Sequence, residues 1–422
     1  MRTTGLLFLL PLAMVMAVSA AQARPSAPAT VTDDVRELAR SIEQTHPDPF
    51  RSVSRQRFTA EVSDLAQRAP TLTRNEVLVG MLRIIALLGP RNGHTGLFPP
   101  DPSHTTPLHL YPLRLYRFSD GVVVVDSQNR ALGRSRVVAI GGVSIDRVFE
   151  LVEPLVPRDN DSNLRGLSPM YALTAEVLDG LDIVDGDESA VFTLEGSDGQ
   201  RSDVSLTPMT GPRYARAFAD PMFGHYPSVL PAASRPLYLA GAARPLWATT
   251  LAKGKAVYVG FNSVRAPTPA ILRKIERLVG GAAVRRVIVD VRLNGGGDNT
   301  TYGPLLSIFR SPTVNRRGRL YLLTGRATFS AAGNFSAEID RDTRAIIVGE
   351  PTGGGVETYA DTFPVLLPTV GWYVHIAARY HERKRNRNDR RLAVEPDVRV
   401  DLTSAQYFAG RDPVLERALK GL

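Results

Sequence analysis

Leu320-Tyr321-Leu322-Leu323-Thr324-Gly325-Arg326-Ala327-Thr328-Phe329-Ser330-Ala331-Ala332-Gly333-Asn334-Phe335 runs from an apolar stretch through a glycine-punctuated loop into small residues. That order predicts a buried strand that turns, at Ser330, into a helix. Similar apolar runs at 287–291 and 345–348 are each followed by a glycine-rich loop, and another run spans Ala256–Phe261. Between them, Thr268-Pro269 opens a helix with Ile271, Ile275 and Leu278 on its buried stripe. Alternating strands and helices predict an α/β core over 255–422 with a mostly parallel sheet. Ligand sites in such sheets lie beyond the carboxyl ends of the strands, so the three loops are where chemistry is expected.

Upstream, the patterning changes twice. Residues 31–104 read as a small helical domain: Thr32 is placed to cap a helix carrying Val35, Leu38 and Ile42, Phe58, Val62 and Leu65 mark a second, and Thr73-Arg74-Asn75-Glu76 is a capping box opening a third that ends at Gly89-Pro90. Residues 105–208 read as a β-rich module, with strands expected at 121–126, 136–140 and 190–194. Residues 209–254 have no clear period and are expected to be a linker or strap. At the front, Arg2, the apolar run from Leu6 to Val18 and Ala21-Gln22-Ala23 have the three regions of a signal peptide over 1–23. The apolar run is shorter than the roughly 20 residues a bilayer requires. The expectation is an exported protein, periplasmic or secreted. The fold class expected of the whole is α+β multidomain.

Composition narrows the chemistry. The 422 residues are 43% hydrophobic and 22% charged, which suits a packed globular chain. The 51 basic residues exceed the 42 acidic ones by 9, a modest excess without the interleaved aromatics of a nucleic-acid channel, so no nucleic-acid partner is expected. With no cysteine, disulfides, thiolate metal sites and a cysteine nucleophile are excluded. The seven histidines include no pair at the spacing of a helical metal motif, and neither a metal nor a cofactor is expected.

The loop Arg292-Leu293-Asn294-Gly295-Gly296-Gly297-Asp298 is suited to turning backbone amides toward an anion, because glycine leaves close approach open; it is equally compatible with a tight turn. Ser330, at a strand-to-helix junction, has its hydroxyl near first-turn amides able to hold an oxyanion, or it serves as the helix N-cap. The third loop is Gly349-Glu350-Pro351-Thr352-Gly353-Gly354-Gly355-Val356. Taken together and in this order, the three motifs resemble the tail-specific, or carboxy-terminal processing, serine peptidase family, including its tricorn-like branch. The resemblance implies an N-terminal helical domain, a PDZ-like module at 105–208 and a catalytic core of the ClpP/crotonase-like kind. By position it implies Ser330 as nucleophile, with the amides of Ala331 and Gly296 forming the oxyanion hole. Many members take their base from a lysine in the third loop; the matching position here is Gly355, and no lysine occurs between Ser330 and Lys384. The tricorn-like branch uses a histidine from the helical part. Gly93-His94-Thr95 resembles its element, with Asn92 replacing an acid, so His94 is the implied base, a structural role for it remaining open. A third, acidic member is expected late in the chain, where Asp389 and Glu395 are candidates.

The function expected is an exported serine endopeptidase acting on polypeptides through an acyl-enzyme. The rival is a binding or scaffold protein, for a lipophilic ligand or a peptide, that keeps the fold without the chemistry; the missing lysine favours it. Basic residues crowd 383–391, which fits either a solvated loop or contact with an anionic membrane surface.

Overall fold

The computed structural model describes residues 30–97, 108–186, 188–211, 213–214 and 229–421. The expected leader, His104 and His225 lie outside the described residues. Among the described residues no helix is long and apolar enough to cross a membrane.

The helical part forms as patterned, with one shift. Helix Val31–Thr45 is capped by Thr30, not Thr32. Only Thr30 stands three residues before an acid that can return the bond, and Asp33 does so to the Thr30 amide at 2.9 Å; the Thr32 hydroxyl instead donates to the Ala66 carbonyl. Helix Arg55–Arg68 buries Phe58, Val62 and Leu65, and Arg74–Ala86 starts at the predicted Thr73–Glu76 box.

The middle module is an antiparallel sheet in the order Leu113–Phe118, Gly121–Ser127, Arg136–Ile140, Ala190–Glu195, Arg201–Leu206. Helices Ile145–Val152, Asp161–Tyr171 and Ala175–Asp179 are inserted between its third and fourth strands.

In the core the order is Val398–Arg399, Ile346–Gly349, Leu320–Thr324, Arg286–Asp290, Ala256–Phe261, Leu246–Leu251, parallel throughout except for the last pair. Leu246–Leu251 belongs to the stretch read as linker or strap, where its short alternation was hidden among Pro, Ala and Arg. Both faces of the sheet are covered: Val257, Val287, Leu320 and Ile347 pack on one side and Tyr258, Ile288, Tyr321 and Ile346 on the other. This double burial is why the strands read as unbroken apolar runs.

A long hairpin, Glu357–Leu367 with Trp372–Glu382, leaves the core sheet and joins the helical part. Leu367, Trp372, Val374 and Ile376 share a single hydrophobic core with Val35, Leu38 and Ile42, and Gly96 and His375 exchange both backbone hydrogen bonds at 2.9 Å. Through this contact the loop after the third helix reaches the core.

Two buried ionic clusters fix these joints. Glu357, 1% exposed, is paired with Arg51, Arg91 and Lys384 and accepts from the Tyr380 hydroxyl. Burial alone would raise its pKa, but hydrogen bonds from Lys384, Tyr380 and Arg91 hold it down to about 2 instead of 4.5. A carboxyl depressed on folding contributes stability that is complete above its unfolded pKa and is lost as pH falls through the folded value. The tie between hairpin and helical part is therefore expected to fail between pH 4.5 and about 2; Glu357→Gln should flatten that part of a thermal-stability profile against pH and lower stability at pH 7. In the second cluster, Arg292 bonds Asp290 and Asp412, and Tyr258 donates to Asp290 at 2.7 Å, joining the first glycine loop to the final helix Pro413–Lys420. Removing one partner of a buried ion pair leaves an uncompensated charge, so Asp412→Ala is expected to cost about 3 kcal/mol in denaturant unfolding.

Candidate active site

Ser330 sits between strand Leu320–Thr324 and helix Ala331–Asp342 with φ 53° and ψ −127°, a backbone conformation that side-chain-bearing residues avoid. It occupies the N-cap position, yet its hydroxyl makes no capping bond. A sharp strand-to-helix turn presenting an uncommitted hydroxyl is the geometry of a nucleophile elbow. The Ala331 amide, first of the helix and directed where anions are favoured, has no acceptor among the described residues.

The other two loops close on this turn. The Phe329 amide donates to the Asn294 carbonyl at 3.0 Å, the Gly354 amide to the Thr328 carbonyl at 2.8 Å, and the Thr328 hydroxyl to the Val291 carbonyl at 2.8 Å. At Gly296, φ is 113° and an added Cβ would lie 2.6 Å from the Ser330 Cβ and 3.0 Å from the Ala331 nitrogen. Only glycine permits that approach. Its amide, however, donates to the Asn294 side-chain oxygen at 2.9 Å, so the loop's own amide group occupies that donor. The remaining side chains of the motifs are structural: Arg326 pairs with Glu350 and donates to the Arg117 carbonyl of the β-rich module at 2.8 Å.

His94 is brought to the same place. Its ring stacks on Phe329, the residue before Ser330, with centroids 4.5 Å apart and planes 22° off parallel. Both ring nitrogens are buried and neither has a hydrogen-bond partner among the described residues, so the imidazole is not bonded to the Ser330 hydroxyl. Burial lowers the imidazole's pKa from its ordinary 6.5, against the pull of Asp159 and Asp361, with His381 adding to the lowering. Asn92, standing where the resembled element has an acid, is structural. It donates to the Leu88, Gly89 and Pro90 carbonyls at the end of the third helix and meets His46 Nε2 at 2.6 Å.

The place of a loop lysine is closed. A Cβ at Gly355 would lie 2.4 Å from the Glu357 carbonyl oxygen. Lys384 is held on Glu357 at 2.6 Å, and its pKa is raised, chiefly by that bond, which keeps it charged and unsuited to accept a proton. The acid candidates are engaged elsewhere or exposed. Asp389 bonds Arg391 at 2.7 Å and the Arg385 amide, and the Arg391 bond holds its carboxyl far below the usual range; Glu395 is exposed. The carboxylates acting on the His94 ring are Asp159 and Asp361. Sequence reading missed Asp159, a single acid in a loop with no periodic or motif signal. Among the described residues no three His, Asp or Glu side chains converge to hold a metal.

The basic run is largely consumed internally: Arg383 pairs with Glu338, Lys384 with Glu357, and Arg385 and Arg391 with Asp340. Glu338 and Asp340 belong to the helix that follows Ser330, so the run clamps that helix.

The sequence model of peptidase family S41 matches residues 307–400, the segment holding Ser330 and the third loop. No curated protein matches the chain in sequence. Among solved structures, mature CPAF is 12% identical with a TM-score of 0.60 over 92% of this chain and 96% of that one. CPAF complexed with lactacystin is 12% identical with a TM-score of 0.61 over 92% and 97%. At this identity the likeness is one of fold, an α+β assembly with a largely parallel core sheet. The segment that carries the serine turn thus matches the sequence model of peptidase family S41, and the fold around it is similar to that of mature CPAF over most of both chains.

Proposed function

We propose that the protein is an exported serine endopeptidase of the tricorn-like branch, in which Ser330 attacks the peptide carbonyl and His94 takes its proton. The observation that carries this reading is the stacking of His94 on Phe329, which brings an imidazole from the helical part against the residue preceding Ser330. A buried, neutral imidazole is a proton acceptor at neutral pH, and the imidazolium then returns the proton to the leaving amine as the acyl-enzyme forms. Water enters by the same route in reverse and releases the acid. The amide of Ala331 is free to meet the developing oxyanion; that of Gly296 joins it when the Asn294 side chain gives up its bond. Donors pre-aimed at this charge typically contribute about two to three powers of ten in rate. In the resting enzyme the imidazole and the hydroxyl are not hydrogen bonded, and such contacts commonly tighten only when substrate is bound.

The β-rich module, as a PDZ-like unit, would take an extended segment of the polypeptide by strand addition and raise its concentration at the serine. Export follows from the leader read over 1–23. Arg387 and Arg390, which have no carboxylate partner among the described residues, are what the basic run keeps for an anionic membrane surface.

The rival, a non-catalytic binding protein, is favoured by the closed position of Gly355 and by the engaged Gly296 amide. A fluorophosphonate probe separates the two. Catalysis is expected to give labelling of the wild type that Ser330→Ala removes and His94→Ala slows by about three powers of ten; a wild type that takes no label and leaves unfolded protein intact is a binding protein. The base must be neutral to act, and burial lowers its pKa from 6.5, so the acid limb of kcat/KM is expected below pH 6.5, with the plateau already reached at neutrality.

A further inference from the structure

Asp159 is fully buried in the loop ahead of helix Asp161–Tyr171, far in sequence from every motif of the active site. Its carboxylate is nonetheless the point where three of the site's pieces meet. One oxygen accepts the Gly93 amide at 2.8 Å and the Thr358 hydroxyl at 2.9 Å; the other accepts the Gly355 amide at 3.1 Å. Gly93 adjoins His94, Gly355 closes the third glycine loop, and Thr358 begins the hairpin. The backbone adds to the joint, since the Arg91 amide donates to the Asp159 carbonyl and the Asn92 amide to the Arg158 carbonyl, both at 3.0 Å. A Cβ at Gly93 would lie 2.7 Å from the Asn163 side-chain oxygen and 3.0 Å from the Asp159 nitrogen. The peptide carrying His94 is therefore seated directly on this acid.

We propose that Asp159 is the positioning residue of His94: it fixes the Gly93–His94 peptide against the Gly355 loop and supplies the buried negative charge opposite which the imidazolium forms. The inference rests on the reading of His94 as the proton acceptor of Ser330. Asp159 does not touch the ring, both of whose nitrogens are without partners, so it acts through the backbone and through its charge. Burial pushes the Asp159 carboxyl above its usual range, while the charge of His94 and the bonds from Gly93, Gly355 and Thr358 pull it back toward the ionised form. The other charged groups facing His94 are Asp361 and His381 of the hairpin. They are bonded to each other at 3.1 Å, and Asp361 is 52% exposed, so water and salt screen it. A buried charge is screened far less, which makes Asp159 the acid whose removal the imidazole should register.

The test is an NMR titration of the His94 ring, assigned with His94→Gln, in the wild type, Asp159→Asn and Asp361→Asn, alongside kcat/KM against pH on an unfolded protein. Asp159→Asn keeps the side chain's size but turns an NH2 toward one of the amide donors. The His94 pKa and the acid limb are expected to fall together by on the order of one pH unit, with a plateau loss of roughly 100-fold from the loosened base. Asp361→Asn is expected to move neither, and the wild-type His94 pKa is expected to hold steady from about 0.05 to 0.5 M salt. An active wild type whose His94 pKa and acid limb stay put in Asp159→Asn overturns the proposal. Should that variant not fold, a salt-sensitive His94 pKa, or one that drops in Asp361→Asn, overturns it equally. A wild type that shows no acylation at Ser330 while its His94 pKa depends on Asp159 refutes the catalytic reading instead, so the two failures are told apart.

Discussion

The closeness of three loops beyond the carboxyl ends of three parallel strands is the constraint on which everything else in this molecule depends. Ser330 holds a left-handed backbone angle that costs of order 1–3 kcal/mol and persists only where its surroundings over-determine it. Here they do. The first glycine loop presses on the serine where a Cβ would be 2.6 Å from its own, and the third loop lies behind it, with a Cβ at Gly354 coming 3.1 Å from the Ser330 nitrogen. Backbone hydrogen bonds stitch all three together. Glycine thus serves less to provide flexibility here than to permit a contact distance, and the strain at the serine is the local consequence of rigid neighbours.

Charge is arranged with similar economy. Arginines and lysines that look like surplus in the sequence are spent inside the fold: Arg292 on Asp290 and Asp412, Arg326 on Glu350, and Arg51, Arg91 and Lys384 on Glu357. The Glu357 cluster and Arg326, which also bonds the Arg117 carbonyl, tie the core to neighbouring parts, while the Arg292 cluster ties the first glycine loop to the final helix within the core. Pairing is what makes burial of such groups tolerable, since an unpaired ion away from water is strongly disfavoured. The lysine best placed by sequence to replace the missing loop base is captured in one of these joints. The imidazole of His94, whose nitrogens have no partner among the described residues, stacks instead on the residue before the serine.

The hairpin between Glu357 and Glu382 explains how a histidine of the helical part reaches the core at all. It exchanges hydrogen bonds with Gly96, donates from the Ala377 amide to the Thr95 hydroxyl oxygen, and buries Trp372, Val374 and Ile376 among the first helices. Asp159 then links the histidine's own loop to the glycines flanking the serine turn. Three sequence-distant segments are in this way referenced to one carboxylate.

The strands, the Thr73 capping box, the turn at Ser330 and the order of the glycine loops were legible in the linear chain, because each depends on local periodicity, on a three-residue reciprocal bond or on backbone freedom within one loop. The edge strand Leu246–Leu251 was not, since an edge needs little apolar alternation and its register comes from its neighbour. Nor was the role of Asn92, which stands in an acid's place and turns out to cap a helix, or that of Asp159, whose importance lies wholly in what folds around it. Local covalent geometry and side-chain pattern decide elements; the partner of a buried charge, the bond a glycine amide makes and the neighbour of an imidazole are set by contacts between segments hundreds of residues apart, and those exist only once the chain has packed.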